Sequence, residues 1–190
     1  MNINPKTGLL VPARYTASTH CNPRPDSQLI DMVVIHGISL PPGEFGGDII
    51  ENFFCGKLDH TLHPSFADIA ALQVSAHLLI NRMGQITQFV SFTQRAWHAG
   101  VSSFQGKTGC NDFSVGIELE GTDNIPYEKA QYQQLAQCVQ ALQAAYPLIT
   151  RDRIVGHSDI APGRKTDPGP SFDWAYFDCL LLAGCHNLIK

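Results

Sequence analysis

The chain has 190 residues, 44% of them hydrophobic and 16% charged, and a formal net charge of −4. That balance belongs to a folded chain with a sizeable core and excludes an intrinsically disordered one. It also argues against nucleic-acid binding, because the sequence holds no basic run or Arg/Lys-rich helix to build a concentrated cationic face.

The opening residues, MNINPKTGLLVPARY, lack the charged-then-apolar pattern of an export signal. No window approaches the roughly 20 apolar residues of a membrane span. The expectation is a cytoplasmic protein that touches no membrane. Six cysteines, Cys21, Cys55, Cys110, Cys138, Cys179 and Cys185, are irregularly spaced with no C-x-x-C, and are expected to be reduced thiols, mostly buried.

In chain order, residues 1–28 read as an irregular lead-in rich in Pro, Asn and Ser. Leu29–Ile35 is a short, β-branched apolar run and predicts a buried strand stopping at His36. The loop SLPPGEFGG follows, and Asp48 is placed to cap a short helix through Phe54. His60 and His63 sit in irregular chain; their H-x-x-H spacing is read as two surface histidines, not as a metal pair. Residues 75–80 and 85–90 flank Asn81-Arg82-Met83-Gly84 and predict a hairpin. Residues 94–100 read as loop, and 113–120 as a second buried strand. From Tyr127 to Tyr146, Leu135, Val139, Leu142 and Tyr146 recur at helical spacing, and Pro147 closes the helix. Arg153–Val155 predicts a short strand ending near His157, and a last helix starts near Ser171. Strands and helices mix without strict alternation. This predicts a single α/β (α+β) domain spanning 1–190, with a central mixed β-sheet flanked by helices.

Three places put a polar group where an apolar strand gives way to a loop: His36, His157, and the run Arg164–Pro170 containing Asp167. Two imidazoles and a carboxylate suffice for a catalytic zinc that keeps its fourth position open. The same histidines equally suit buried hydrogen bonds at strand ends. Lys165 and Asp167 stand at i and i+2, so in extended chain they point the same way and Lys165 can face a developing oxyanion; a solvated surface lysine is the alternative. Glu118 and Glu120 share one face of FSVGIELE. Glu118 is either a general base or part of a solvent-facing strand face.

The stretches VVIHGISLPPGEFGG (33–47), VSAHLLINRMGQITQFVSFTQRAWHAG (74–100), CNDFSVGIELEGTD (110–123) and VGHSDIAPGRKTDPGPSFDW (155–174) resemble, in order and separation, the AmpD family of cytoplasmic 1,6-anhydro-N-acetylmuramyl-L-alanine amidases. These belong with peptidoglycan recognition proteins and phage-type amidases, and the resemblance runs from about residue 10 to 178. It implies one Zn²⁺ held by His36, His157 and Asp167, with Glu118 and Lys165 at the catalytic positions. It implies a substrate wall including Trp97, His98 and Gly37, bordered by Arg164. His77 falls in the family's S-x-H strand and is expected to be structural.

Two features depart from the family pattern. Gly37 stands where close relatives often carry Asn. Gln73 and Gly109 stand where two arginines are associated with the peptide's acidic end, so Lys107 becomes the candidate for that charge. The implied partner is a small-molecule muropeptide, and the protein is expected to act as a monomer. A recognition module that binds without cutting, or an exported amidase acting on intact wall, are the alternatives.

Overall fold

Residues 33, 35, 115, 117 and 119 are apolar and buried, and alternate with residues that carry the chemistry. That period-two pattern lies on two neighbouring strands at the middle of a six-stranded sheet. In spatial order the strands are Ile154–Gly156, Met32–Ile38, Ser114–Glu120, Leu78–Ile80, Ile86–Gln88 and Arg14–Tyr15. The first four run parallel, Leu78–Ile80 pairs antiparallel with Ile86–Gln88, and Arg14–Tyr15 pairs parallel with Ile86–Gln88. The sheet is therefore mixed, as the sequence predicts. The computed structural model describes residues 1–25 and 29–182.

One face of the sheet is covered by the helix Lys129–Ala145, whose Leu135, Val139 and Leu142 are fully buried against Val33, Ile35, Val115 and Ile117. Full burial of each such side chain contributes about 1.5–3 kcal/mol. Gln131 ties the start of this helix to the sheet: its Nε2 donates to the carbonyls of Ile80 and Glu120. Its Oε1 accepts from the Glu128 backbone N–H. The helix stops at Ala145, two residues before Pro147, which cannot continue it. The final helix, Trp174–Leu181, packs on the same layer through Phe177 and Leu181.

The opposite face holds a smaller cluster of Met32, Val34, Ala99, Cys110, Phe113 and Ile160. Beyond that cluster the same face carries His36, Ser114, Gly116 and Glu118. A strand covered on both sides leaves no solvent-facing side, and all seven residues of Ser114–Glu120 are buried. The solvent-facing alternative for Glu118 and Glu120 therefore fails. Glu120 spends its carboxylate on the backbone N–H groups of Gly46 and Arg82, fastening the loop after the first central strand.

Several expectations need correcting. The lead-in carries strands at Asn2–Asn4, Leu9–Val11, Arg14–Tyr15 and Cys21–Pro23. Their partners lie far along the chain or across a tight turn, so local composition hides them. The 94–100 loop contains the strand Gln94–Ala96, which pairs antiparallel with Cys21–Pro23. The first central strand is Met32–Ile38, so it runs through His36 instead of ending there. The last short strand is Ile154–Gly156, and His157 opens a one-turn helix. Asp48 flanks the Ile49–Phe54 helix but its side chain caps nothing. The last helix begins at Trp174, later than expected. Cys21, Cys55, Cys110 and Cys138 are free, but Cys179 is disulfide-bonded, against the expectation of six reduced thiols. Pairing depends on tertiary approach, which irregular spacing does not reveal. Cys185 lies outside the described residues.

Candidate active site

The register of the sheet sets Glu118 directly beside His36 on adjacent parallel strands, and sets Gly156 beside Ile35, so His157 emerges next to both. Three carboxyl ends of parallel strands thus meet in one place, where open α/β sheets usually hold their ligands. Asp167 arrives on the loop after the His157–Ile160 turn. Two contacts fix that loop: Ser158 N–H donates to the Asp167 carbonyl, and the Tyr127 hydroxyl donates to the Pro168 carbonyl at 2.9 Å. Gly37 makes the second contact possible, because a Cβ there would lie 2.2 Å from the Tyr127 hydroxyl.

His36 Nδ1 lies 2.9 Å from His157 Nδ1 and 3.2 Å from Asp167 Oδ2, and His157 Nδ1 lies 3.1 Å from Asp167 Oδ2. Among the described residues, this is the only group of three His, Cys, Asp or Glu side chains close enough to share an ion. His60 and His63 are not part of it; His63 instead accepts from Ser65 N–H at the start of the Pro64–Phe66 turn. The edges of a tetrahedral zinc site with bonds of about 2.0–2.1 Å are about 3.3–3.4 Å. The observed triangle needs to open by only a few tenths of an ångström. Two imidazole nitrogens and one carboxylate oxygen also form a normal catalytic zinc donor set. The residues fit the ion.

Burial pulls the His36 imidazolium pKa down to about 4, despite the neighbouring Asp167, so the ring is neutral near pH 7 and able to act as a ligand. His157 Nε2 faces the Ala99 carbonyl at 3.3 Å. Arg164 Nη2 also approaches that nitrogen, but its two hydrogens are already given to the carbonyls of Ala99 (2.6 Å) and Val101 (2.8 Å). His157 Nε2 is therefore the donor to Ala99, which leaves its Nδ1 lone pair pointing at the triad.

The triad lies in the wall of a cavity of about 260 Å³, together with Glu118, Lys165, Gly37, Trp97 and His98. Glu118 is 8% exposed, and its Oε2 is buried with no hydrogen-bond partner. Burial, and then the negative Asp167, push its carboxyl well above the ordinary range, while Lys165 pulls it back. A carboxyl in this state is suited to accept and return a proton.

Of the remaining sequence candidates, Trp97 stacks beside His20 and donates Nε1–H to Asn22 Oδ1, presenting its ring to the cavity. Arg164 and Lys107 do not line it. The guanidinium of Arg164 turns back onto the 99–101 loop, and the exposed Lys107 ammonium sits 3.9 Å from the Phe113 ring centroid. Gln73 lines an adjoining cavity that shares Phe53 and Leu72 with the first. Gly109 adopts a left-handed conformation (φ 73°) at the turn before Cys110–Asp112. His77 is fully buried, accepting from Gly116 N–H and facing the Gln94 carbonyl.

Sequence reasoning missed four supporting residues. Asn111 Oδ1 accepts from the N–H groups of His98 and Ala99 and fixes the AWHAG loop. Arg24 threads behind the site and donates to the carbonyls of Phe92, Asn111, Asp112 and Ser114. Tyr127, two residues ahead of the Lys129–Ala145 helix, donates to the Pro168 carbonyl, a contact that no local pattern signals. Ser114 shares a face with Glu118 at period two, a signal available in the sequence once Glu118 is singled out.

A family profile described as N-acetylmuramoyl-L-alanine amidase matches residues 25–170. The chain is 58% identical over 174 residues to the 1,6-anhydro-N-acetylmuramyl-L-alanine amidase AmpD of Escherichia coli K12, covering 92% of this chain and 94% of that protein. A crystal structure of a selenomethionine AmpD derivative superposes with a TM-score of 0.92 at 56% identity, over 95% of this chain and 99% of that one. The E. coli amidase AmiD, in complex with anhydro-N-acetylmuramic acid-L-Ala-D-γ-Glu-L-Lys, matches with a TM-score of 0.58 at 31% identity, over 83% of this chain and 60% of that one. With its mixed sheet, its His-His-Asp triangle and these likenesses together, the chain belongs to the AmpD family of N-acetylmuramoyl-L-alanine amidases.

Proposed function

We propose that the protein is a zinc-dependent hydrolase of the amide bond joining the lactyl group of 1,6-anhydro-N-acetylmuramic acid to L-alanine. The observation that carries this reading is the convergence of His36, His157 and Asp167 in the wall of a cavity that also receives Glu118 and Lys165. The names of the relatives and the ligand of the AmiD complex support the substrate class.

His36, His157 and Asp167 would hold the ion. When bound, Zn²⁺ supplies Lewis-acid charge and brings the pKa of water toward neutrality. Glu118 takes the proton from the attacking water as it closes on the lactyl carbonyl. The Lys165 ammonium faces the carbonyl oxygen as negative charge grows there, and contributes most in the transition state. Glu118 then returns the proton to the departing amine of L-alanine, and the C–N bond breaks. Trp97 and Gly37 form the wall along which the sugar and its peptide lie. The buried floor excludes bulk water and strengthens each of these charge interactions.

A monomeric, cytoplasmic enzyme of cell-wall recycling is the setting this reading implies. By freeing the peptide, it lowers the muropeptide signal that induces β-lactamase. Among the described residues, no helix is long and apolar enough to cross a membrane. Purified protein incubated with an anhydro-muropeptide, with and without chelator, tests the proposal by product mass. Free anhydro-sugar and free peptide should appear only without chelator. An intact muropeptide under both conditions would make this a binding module, and release from intact wall at an equal rate would make it a wall amidase.

A further inference from the structure

On the same sheet face as Glu118, Ser114 and Gly116 stand four and two residues earlier on one strand. Neither is accounted for by the reaction above. His98 lies across Gly116 so closely that a Cβ there would come within 2.4–2.7 Å of three ring atoms. The glycine is what allows the ring to sit between Ser114 and His36. Both His98 nitrogens are engaged: Nδ1 lies 3.0 Å from His36 Nε2, and Nε2 lies 3.2 Å from Ser114 Oγ.

The proton positions along this row follow from one commitment. Ser114 Oγ lies 2.6 Å from the Cys110 carbonyl, which can only accept, so the single hydroxyl hydrogen goes there. The Ser114 oxygen then has only lone pairs to offer His98, so His98 Nε2 carries a hydrogen and donates. A neutral His98 consequently has a bare Nδ1, which accepts from His36 Nε2–H. His36, in turn, is left with a bare Nδ1, the atom that faces His157 and Asp167.

The geometry points to a relay, Cys110 carbonyl–Ser114–His98–His36, that fixes the tautomer of His36 so that its Nδ1 lone pair is always presented to the metal. Ser114 and His98 are positioning residues in this scheme. His98, expected from the sequence to be part of the substrate wall, acts through His36, and Gly116 is the space that admits it. Asn111 holds the row in place from the loop side by accepting the His98 and Ala99 backbone N–H groups. Outer partners that orient a ligating histidine usually change metal affinity by 10–100-fold when removed. The inference rests on the metal reading for its purpose, but the tautomers themselves exist without the ion.

The test begins with the metal-free wild-type protein, in which long-range ¹H–¹⁵N correlations report the protonated nitrogen of each imidazole. His36 and His98 should both carry hydrogen on Nε2. Chelator-competition titration with zinc alone should then show Ser114→Ala and Gly116→Ala binding about 10–100-fold more weakly than wild type. In metal-free Ser114→Ala, part of the His36 population should carry its hydrogen on Nδ1. A wild-type His36 with hydrogen on Nδ1 would overturn the relay even if no variant folds. So would wild-type zinc affinity in folded Ser114→Ala. If the wild-type tautomers are as assigned but the protein takes up no zinc, the relay stands and the metal reading fails.

Discussion

Glu118→Gln should move stability and turnover in opposite directions, and the structure sets the size of both changes. The substitution keeps the volume of the side chain and removes its charge. In the wild type, the carboxylate is 8% exposed and its Oε2 has no partner. A buried polar group left unpaired costs about 1–3 kcal/mol, and more when charged. Because burial raises the folded-state pKa, folding retains a proton that the unfolded chain sheds near pH 4.5. The stability this confers is complete below that pH and is lost as the pH rises through the higher folded value. In chelator at neutral pH, Glu118→Gln should therefore be more stable than wild type by about 1–3 kcal/mol. That is about 2–4 °C in Tm per kcal/mol for a domain of this size. The gap should close as the pH falls toward 4.5.

Turnover should fall by about 10²–10⁴, the usual contribution of a positioned general base. That equals about 2.7–5.4 kcal/mol of barrier. Thermal denaturation across pH and product release from an anhydro-muropeptide measure the two effects. Turnover within a few-fold of wild type, or a stability loss at neutral pH, would refute the reasoning.

The remaining predictions concern the parts around it. Lys165→Ala should retain zinc, assayed by metal analysis, while losing about 100-fold or more in kcat, since removing an oxyanion-stabilising group costs about 2.7–4 kcal/mol. Tyr127→Phe loses the hydrogen bond to the Pro168 carbonyl; denaturant titration should show a loss of about 0.5–1.5 kcal/mol. Arg24→Met leaves four backbone carbonyls without their donor, and should cost at least about 2 kcal/mol by the same titration. Saturating zinc should raise the Tm of wild type but not of His157→Ala, because only the former has a native-state site for linkage.

Much of this was legible in the sequence because strand periodicity and chemistry coincide. His36 ends an apolar run, Glu118 breaks the apolar pattern of another, and Gly156-His157 follows a third. The sheet brings those strands together in parallel, which is why polar residues far apart in the chain meet. What stayed hidden depends on tertiary partners. Gln94–Ala96 is a strand only because Cys21–Pro23 lies beside it. Alternation suggested a wet face for Glu118 and Glu120, but parallel strands covered on both sides have none. The family resemblance puts Arg164 at the pocket border, and nearness to Gly109 puts Lys107 there; the structure turns the first to the Ala99 and Val101 carbonyls and lays the second on Phe113. Ser114 shares the face of Glu118 in the sequence, but no local pattern reveals its contact with His98, which reaches it across Gly116.

Anomalous diffraction at the zinc edge, from crystals grown with zinc, tests the central claim most directly. A single strong peak within bonding distance of His36 Nδ1, His157 Nδ1 and Asp167 Oδ2 is the predicted result. A zinc ion bound elsewhere in the chain, with no density inside that triangle, would contradict it.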